Sequence, residues 1–401
     1  MLKIINCSKL NYKKKLSFYF NKSSTNNKFT RNIVYRILQD VKAKGDQALI
    51  KYIKKYEGNN FKAIKEIKIT KKEINYAKSQ CSKSFLKALG VAIKRVYRYQ
   101  EKLMPKNLIF KDATGMKLGC LWTPLDSCGL YVPGGKAFYP SSVVMNAVPA
   151  KLAGVKRVII TPPAINNEVK PEILAASSLI GIEEIYKVGG AQAIGAMTYG
   201  TNLIKKVDKI VGPGNSFVAE AKRQVFGDVG IDSVAGPSEI MVIADSRNNS
   251  KFIAMDLLSQ AEHDEAASAI LVTDSKQLAD SVKKDLQVFL KTIDRKKIAE
   301  KSLRDNGLII IIPEISMAYK IANFLAPEHL EIMTKKKYSL LNKIKNAGAV
   351  FLGEYTPESL GDYVAGPSHV LPTSGNARFE SGLSVLDFFK RTSMIEADKS
   401  S

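Results

Sequence analysis

After Pro124 the chain changes to short apolar segments that alternate with helical patterns, and this alternation constrains the fold more than any other sequence feature. The segments are predicted as strands at residues 130–132, 157–160, 185–188, 209–211, 241–244, 269–272, 308–312 and 349–352. Strands that recur with a helix between them are typical of parallel α/β units. We therefore predict an α/β fold with two Rossmann-like, doubly wound domains.

The region before Pro124 has a different pattern of polar and apolar residues. Residues 1–29 are polar and rich in Asn, Lys and Ser, with little apolar periodicity, so we interpret them as a helical N-terminal arm or a loosely packed extension. Residues 30–104 follow helical spacing, and Thr70 with Glu73 has the sequence of a capping box at the start of one helix. A mostly helical segment is therefore expected before the first strand.

Glycine-rich turns near Gly129 and Gly236 place the domain boundaries. We predict one Rossmann-like domain from residues 30–128 and 237–375, and a second from residues 129–236. Residues 376–401 are expected to form a short C-terminal tail.

The net charge of +23 is concentrated at the start of the chain. Residues 1–110 hold 27 of the 61 Lys and Arg residues and 6 of the 38 Asp and Glu residues. Such a segment can bind nucleic acid, but its lysines are dispersed through helical patterns without an Arg-rich or aromatic motif. We interpret them as solvated helix faces and expect no nucleic-acid partner.

The cysteines and the hydropathy pattern indicate a cytoplasmic protein. Cys7, Cys81, Cys120 and Cys128 show no Cys-x-x-Cys spacing and none adjoins a histidine, so we interpret them as reduced structural thiols. The first residues contain no apolar run of signal-peptide length, and the longest aliphatic run, residues 308–312, is too short to span a bilayer. We expect no membrane partner.

Four glycine-rich turns are predicted where parallel sheets place their sites, after the strands. They carry Tyr131 (turn 129–135), Gln192 (188–192), Asn215 (211–215) and Ser238 (236–239). None has the Gly-x-Gly-x-x-Gly pattern of a dinucleotide site, so the dinucleotide motif is incomplete. One such turn is more often a plain loop, but four on successive strands of one sheet indicate a ligand site.

A helix predicted to be capped by Ser250 ends in a polar cluster. Three-residue spacing puts Gln260 and His263 on one helix face, where an amide carbonyl and an imidazole can meet one metal ion. The alternative is a polar helix end with a solvated histidine. The chain has only three histidines, and His263, His329 and His369 all lie in polar clusters, which favours a functional role.

Two further polar segments carry candidate acid, base and ligand groups. Pro327 suits the first turn of a helix, so Glu328 and His329 are predicted at a helix N-terminus, where neighbouring side chains diverge by about 100° and can serve two protons. The alternative is an acidic first turn that complements the helix dipole. Asp362 after Gly361 is either a hard metal ligand or a turn-forming residue.

These segments together resemble the histidinol dehydrogenase family, from about Thr30 to Ile395 and without large gaps. The motifs that carry the resemblance are the turns of Tyr131, Gln192 and Asn215, Gly236-Pro237-Ser238-Glu239, Gln260 with His263, Pro327-Glu328-His329, Gly361-Asp362-Tyr363 and Gly382-Leu383-Ser384-Val385-Leu386-Asp387-Phe388. The family oxidises L-histidinol through L-histidinal to L-histidine, with zinc bound and NAD reduced in both steps. The resemblance implies this activity here.

The resemblance also implies roles for individual residues. It gives Gln260, His263 and Asp362 as zinc ligands, and Ser238, Gln260, His263, His329 and Asp362 as contacts of the substrate. It gives Tyr131, Gln192 and Asn215 as NAD contacts, and Glu328 with His329 as the acid/base pair. A homodimer with shared active sites is implied as well.

One departure from the family leaves alternatives open. The family continues beyond the stretch at Lys390 with a segment that supplies a fourth zinc ligand, a His, and a substrate-binding Glu, whereas this sequence stops at Ser401 with no His after His369. A weaker zinc site and slower turnover are therefore expected. The alternatives are a related zinc- and NAD-dependent dehydrogenase of another small polyol, and a catalytically impaired homologue. An aldehyde dehydrogenase would need an activated cysteine, which the sequence does not suggest.

Overall fold

A computed structural model of the chain describes residues 2–7, 11–20, 28–134 and 139–399. Within these ranges the strands are β1 (Lys3–Asn6), β2 (Leu108–Lys111), β3 (Lys117–Pro124), β4 (Ser127–Tyr131), β5 (Arg157–Thr161), β6 (Glu184–Ile185), β7 (Lys209–Val211), β8 (Gly230–Ile231), β9 (Glu239–Ile243), β10 (Ser268–Thr273), β11 (Leu308–Ile311), β12 (His329–Ile332), β13 (Ala349–Leu352) and β14 (Phe389–Glu396).

The α-helices of the same ranges connect these strands. They are α1 (Tyr12–Phe20), α2 (Lys28–Lys44), α3 (Asp46–Glu57), α4 (Lys71–Gln80), α5 (Lys83–Glu101), α6 (Pro140–Leu152), α7 (Pro171–Ile180), α8 (Gly190–Tyr199), α9 (Ser216–Val225), α10 (Ser250–Ala261), α11 (Lys276–Phe289), α12 (Lys296–Asp305), α13 (Ala318–Leu325), α14 (Lys337–Leu341) and α15 (Glu358–Tyr363). Short 3₁₀ helices cover Ile64–Ile67, Ile315–Met317, Asn376–Arg378 and Val385–Phe388.

The chain divides into two compact units, which we name by their parallel sheets. The six-strand unit takes its described residues from Met1–Asn26, Ala235–Asp362 and Leu371–Gly382, and the five-strand unit from Asn27–Val234, Tyr363–Val370 and Leu383–Ser401.

The six-strand unit is built on a parallel sheet in the order β1-β11-β10-β9-β12-β13. Alternate residues of β9 enter different cores: Ile240 and Val242 pack in one apolar cluster, and Met241 and Ile243 in another. Because both faces are buried there, the central strands β9, β10 and β11 carry nearly continuous apolar runs rather than an alternating pattern, as is typical of a doubly wound parallel sheet.

The five-strand unit contains a parallel sheet in the order β6-β5-β4-β7-β8. Strand β4 comes first along the chain, β5 and β6 lie on one side of it, and β7 and β8 lie on the other. The gap between β4 and β7 is therefore the topological switch point, where open α/β sheets bind their ligands. The predicted α/β class with two parallel sheets is confirmed.

Helices α2 to α5 pack in the cores on this second sheet. Val34 and Leu38 of α2 pack with Ala193 and Met197 of α8 in one core. Residues 30–128 therefore group with the five-strand unit, whereas the sequence analysis grouped them with residues 237–375. Helical spacing identifies an apolar face, but it does not identify which sheet that face covers.

Two helix starts show how local sequence sets the elements. The capping box is present at α4, where Thr70 Oγ1 accepts a hydrogen bond from Glu73 N (3.2 Å) and Thr70 N donates one to Glu73 Oε2 (2.7 Å). Helix α10 also begins near its predicted start, but its cap is Asn249 rather than Ser250. Asn249 Oδ1 accepts from Lys251 N (2.9 Å).

The predicted helical arm at residues 1–29 contains helix α1, but it also contains strand β1, which the sequence did not predict. Lys3–Asn6 pairs in parallel with β11, and Leu2, Cys7 and Leu16 are buried. A four-residue edge strand is too short to show a period, and its polar flanks hid it in the sequence. Residues 8–10 and 21–27 of this segment lie outside the described residues.

The predicted C-terminal tail at residues 376–401 contains an ordered strand. Strand β14 pairs with β3 in an antiparallel register that runs from Phe389 opposite Pro124 to Glu396 opposite Lys117, within the three-stranded sheet β14-β3-β2. All four residues of β2 are exposed.

Two further features concern the cysteines and the length and apolar character of the helices. Cys7, Cys81, Cys120 and Cys128 all carry free thiols. Among the helices that the structure describes, none combines the length and the apolar character needed to cross a bilayer.

A buried ion pair holds the turn after β7. Lys222 of α9 is almost fully buried, and its Nζ donates to Gly212 O (3.0 Å) and to Asp232 Oδ1. Asp232 Oδ2 accepts from Gly212 N (2.7 Å). The pair therefore satisfies both backbone groups of Gly212, whose positive φ of 109° would strain any residue with a side chain.

We expect Lys222→Met to lower the free energy of unfolding by about 3 to 5 kcal/mol, because Asp232 would stay buried without its counter-charge. The double variant Lys222→Met/Asp232→Leu should recover only part of the loss, because it removes the unpaired charge but leaves both backbone groups of Gly212 without their partners. As a control, Lys296→Met breaks the exposed pair with Glu300 and should cost no more than about 0.5 kcal/mol. Urea denaturation measures all three, and equal losses for Lys222→Met and the control would contradict the assignment.

Candidate functional site

His329 is the first residue of a buried strand, and the predicted helix N-terminus at Glu328 and His329 is therefore wrong. Strand β12 lies between β9 and β13, and His329 pairs with Ile240 on one side and Ala349 on the other. Both neighbouring strands offer backbone partners, so tertiary pairing overrides the local preference of Pro327 for a helix start.

The polar residues of the six-strand unit lie at the amino ends of its strands. Glu239 begins β9 and Ser238 comes directly before it, so the turn 236–239 precedes a strand instead of following one as predicted. Helix α10 connects the parallel strands β9 and β10, and it must run back along the sheet, so its C-terminal end returns to this same edge.

A backbone carbonyl fixes the orientation of the His329 ring. Nδ1 lies 3.0 Å from Glu239 O, and because a carbonyl can only accept, Nδ1 carries the proton and donates. Glu239 N in turn donates to Glu328 Oε2 (2.9 Å), so one residue of β9 holds both members of the predicted acid/base pair. His329 Nε2 is then directed towards Asp362 Oδ1 (3.8 Å) and Glu358 Oε1 (3.9 Å).

Burial of several carboxyl groups dominates the electrostatics. Burial raises the pKa of Glu328 to about 8, and it raises the pKa values of Glu239 and Glu358 to about 7. Hydrogen bonds from backbone N–H groups offset only part of the desolvation of Glu239 and Glu328. A charged carboxylate in this position is costly unless a positive charge balances it.

The surroundings shift the pKa values of His263 and His329 in opposite directions. Burial lowers the pKa of His263, although the charge of Asp362 acts against it. Burial also acts to lower the pKa of His329, but the charges of Glu328, Asp362 and Glu358 outweigh it and raise this pKa to about 10. At neutral pH His263 is therefore a neutral imidazole, whereas His329 holds a proton among the carboxylates.

Gln260 and His263 converge although only one of them is in a helix. Helix α10 ends at Ala261, and His263 N donates to Gln260 O (3.2 Å) in the turn that follows. Gln260 Nε2 and His263 Nδ1 lie 3.5 Å apart. Gln260 is 1 % exposed, so its amide faces the interior.

Glu358 is a site residue that the sequence analysis did not single out. Its backbone N donates to Glu331 Oε1 (2.8 Å), and its Oε2 accepts from Ser259 Oγ (3.2 Å), which leaves Oε1 facing His329. The available signal was its spacing, because Glu358 and Asp362 are four residues apart and share one face of α15.

The donor set fits a divalent cation. Ligand atoms of His329, Glu358 and Asp362 all lie within 4.8 Å of one another. Gln260 Oε1, His329 Nε2 and Glu358 Oε1 are buried without a hydrogen-bond partner among the residues that the structure describes. Buried amide and carboxyl oxygens that lack a donor favour a cation, and imidazole, amide and carboxylate ligands suit zinc.

The five-strand unit brings Tyr131, Gln192 and Asn215 to the carboxyl ends of its strands. Tyr131 ends β4, and its hydroxyl accepts from Gly190 N (3.1 Å) at the start of α8. Asn215 caps α9 through Oδ1, which accepts from Phe217 N (3.0 Å), so its NH₂ group is not used by the cap.

Gln192 has a partner that the sequence did not reveal. Its Nε2 donates to Glu57 Oε1 (2.9 Å), and burial raises the pKa of Glu57 to about 7. The two residues are far apart in sequence and no motif connects them, so sequence reasoning had no signal for this contact. Gly135 of the Tyr131 turn lies outside the described residues.

Comparison with known proteins gives one consistent result. The sequence profile described as histidinol dehydrogenase matches residues 20–401. The chain is 51% identical over 366 residues to the histidinol dehydrogenase of Gluconobacter oxydans. These residues are 91% of this chain and 85% of the relative. It is 51% identical over 360 residues to that of Clostridium acetobutylicum, covering 90% and 83% of the two chains.

Solved structures agree. The crystal structure of histidinol dehydrogenase from Elizabethkingia anophelis superposes with a TM-score of 0.94 at 35% identity, over 99% of this chain and 91% of that chain. An acetylating aldehyde dehydrogenase from Geobacillus thermoglucosidasius has a TM-score of 0.52 at 13% identity over 92% and 97% of the two chains, a likeness of fold alone. The predicted family and oxidoreductase class are confirmed: the chain belongs to the histidinol dehydrogenase family.

Proposed function

We propose that this chain carries out the reaction of its family, the oxidation of L-histidinol through L-histidinal to L-histidine, at the residues around His329. The observation that supports this site is the convergence of buried, unpartnered ligand atoms from Gln260, His329 and Glu358 beside Asp362. A substrate that itself carries an imidazole and an amine can supply nitrogen ligands to a metal held there.

Gln260, His263 and Asp362 are the proposed zinc ligands. Burial keeps His263 neutral, which is the form that binds a metal, whereas the surrounding carboxylates keep a proton on His329. When bound, zinc supplies a Lewis acid that anchors the substrate and a positive charge that offsets the surplus carboxylates. The same residues, with Ser238 and His329, are the proposed contacts of histidinol.

Glu328 and His329 divide the proton transfers. With zinc bound, the cation would offset the carboxylates that otherwise keep His329 protonated, so the neutral ring would accept the hydroxyl proton of histidinol at Nε2 while hydride leaves the carbinol carbon for NAD and Nδ1 stays hydrogen-bonded to Glu239 O. In the second oxidation Glu328 deprotonates the water that adds to the aldehyde, and His329 takes the next proton. A carboxyl group whose pKa lies near neutrality can both release and accept a proton at working pH, which suits Glu328.

Tyr131, Gln192 and Asn215 are the proposed NAD contacts. Tyr131 and Asn215 flank the switch point between β4 and β7, where a parallel sheet of this order binds nucleotides. A Cβ on Gly212 would lie 2.2 Å from Tyr131 O, so the turn after β7 can pack against β4 only as glycine. NAD supplies the hydride acceptor of both oxidations.

The chain is proposed to act as a homodimer in the cytoplasm. Leu108, Ile109 and Phe110 of β2 are all about half exposed, and together they give the edge of the three-stranded sheet an apolar surface that fits a second copy. Free thiols are typical of a reducing compartment.

The two proton roles separate on mutation. We expect Glu328→Gln to slow the oxidation of histidinal by roughly 100-fold or more and the oxidation of histidinol much less, because only the aldehyde step needs an activated water. Glutamine keeps an oxygen that can accept from Glu239 N. Stopped-flow assays with each substrate measure the two steps, and Glu300→Gln on the surface of α12 serves as the control. Equal losses in both steps would refute the division of roles.

Zinc content distinguishes the proposed ligands from the neighbouring acid. We expect His263→Ala to weaken zinc binding by more than about 100-fold, and Glu358→Gln by about 10-fold or less, because Glu358 acts from outside the ligand set. Mass spectrometry of metal content after dialysis against buffered zinc gives both affinities. The reverse order would assign the metal to His329, Glu358 and Asp362 instead.

A further inference from the structure

Glu57 is a buried carboxyl group that none of the steps above uses. It is the last residue of α3, and its Oε1 accepts from Gly189 N (3.1 Å) and from Gln192 Nε2 (2.9 Å). Both donors belong to the first turn of α8 or to its cap. The carboxyl group of one helix therefore occupies the N-terminal end of another, where unpaired N–H groups favour negative charge.

This arrangement selects one orientation of the Gln192 amide. An amide side chain can present either its NH₂ group or its oxygen, but Glu57 Oε1 accepts from Gly189 N and therefore offers Gln192 an acceptor. Contact with Glu57 therefore turns Nε2 of Gln192 towards the carboxylate and leaves Oε1 as the end that can meet a ligand. Gly190 makes room for it, because a Cβ there would lie 2.8 Å from Gln192 Oε1.

The same turn binds the hydroxyl of Tyr131. Gly190 N donates to Tyr131 Oη, while Gly189 N donates to Glu57, so consecutive backbone N–H groups hold two different side chains. Gly189 itself packs against Pro163, whose Cβ would lie 2.7 Å from an added Cβ. Glu57, Gln192 and Tyr131 are thus connected through one rigid turn of backbone.

We propose that Glu57 is a positioning residue for the cofactor, which acts by fixing the amide of Gln192 so that its oxygen accepts a hydrogen bond from NAD. This inference rests on the proposed contact between Gln192 and NAD. The hydroxyl groups of a ribose and the NH₂ of a carboxamide are the donors that such an oxygen recognises. A cofactor phosphate is not expected at the start of α8, since Glu57 already occupies that position.

The test compares four variants for steady-state kinetics with NAD and with histidinol. We expect Glu57→Met to raise the KM for NAD by roughly 10-fold, with kcat and the KM for histidinol changed by less than about twofold. Glu57→Gln keeps an oxygen that accepts from Gly189 N and Gln192 Nε2, and it should remain close to the unmodified chain. Gln192→Met should raise the KM for NAD at least as much as Glu57→Met does.

The double variant Glu57→Met/Gln192→Met tests whether Glu57 acts through Gln192. Because Glu57 acts through Gln192, the double variant should have the same KM for NAD as Gln192→Met alone. If the two effects multiply, or if Glu57→Met is silent while Gln192→Met is not, the inference is overturned and the proposed NAD contact stands. If Gln192→Met is itself silent, both are overturned.

Loss of folding is controlled within the same set. Melting temperatures report whether Glu57→Met disturbs the packing of α3 against α8. If Glu57→Met does not fold, Glu57→Asp replaces it in the test. Aspartate is shorter by one methylene, so its carboxylate should no longer reach Gln192 and the KM for NAD should again rise. A normal KM for NAD in folded Glu57→Asp would overturn the positioning role.

Discussion

Glu328 and Glu358 are buried together with His329 in the six-strand unit beside the half-buried Glu239, and the rest of the site depends on how their charge is balanced. Desolvation raises the pKa of each of the three carboxyl groups, and the charges of Glu328, Asp362 and Glu358 raise the pKa of His329. Such a cluster is unstable as four independent groups in an apolar interior, since each carboxylate costs several kcal/mol to desolvate. A bound divalent cation resolves the conflict, and the unpartnered oxygen of Gln260 marks where the protein leaves room for one.

The fold places this cluster in an unusual position for a parallel sheet. Parallel sheets commonly bind ligands at the carboxyl ends of their strands, and the five-strand unit places Tyr131 and Asn215 there. The six-strand unit has its candidate cluster at the amino ends instead, where β9 and β12 begin with Glu239 and His329. Helix α10 brings Gln260 to the same edge with its C-terminal end, whose partial negative charge also favours a cation.

Much of this architecture follows from local sequence rules. Apolar runs predicted β4 to β7, β9 to β11 and β13, because burial on both faces leaves little room for polar residues, and Thr70 with Glu73 predicted the start of α4. Strands β1 and β12 were missed because polar residues interrupt their short apolar runs, and β12 acquires its conformation by pairing with β9 and β13. Strands β2, β3, β8 and β14 were not predicted either. Helix α2 was assigned to the wrong sheet, because an apolar helix face does not specify which sheet it packs against.

The residues of the candidate site also include some that the sequence predicted and some that it did not. Gln260, His263, Glu328, His329 and Asp362 were chosen from the sequence, since each lies in a polar motif that resembles the family. Glu358 and Glu57 were not, because their roles arise from contacts with residues that are distant in the chain. Sequence patterns identify groups that can do chemistry, whereas the partners that orient those groups emerge only from tertiary structure.

The most direct measurement is anomalous diffraction at the zinc absorption edge from crystals grown with zinc and histidinol. The account predicts one strong peak that lies within coordination distance of Gln260 Oε1, His263 and Asp362. His329 should be hydrogen-bonded to Glu239 O and should not contact the metal. A folded protein with no peak at saturating zinc, or a peak held by His329 and Glu358, would contradict it.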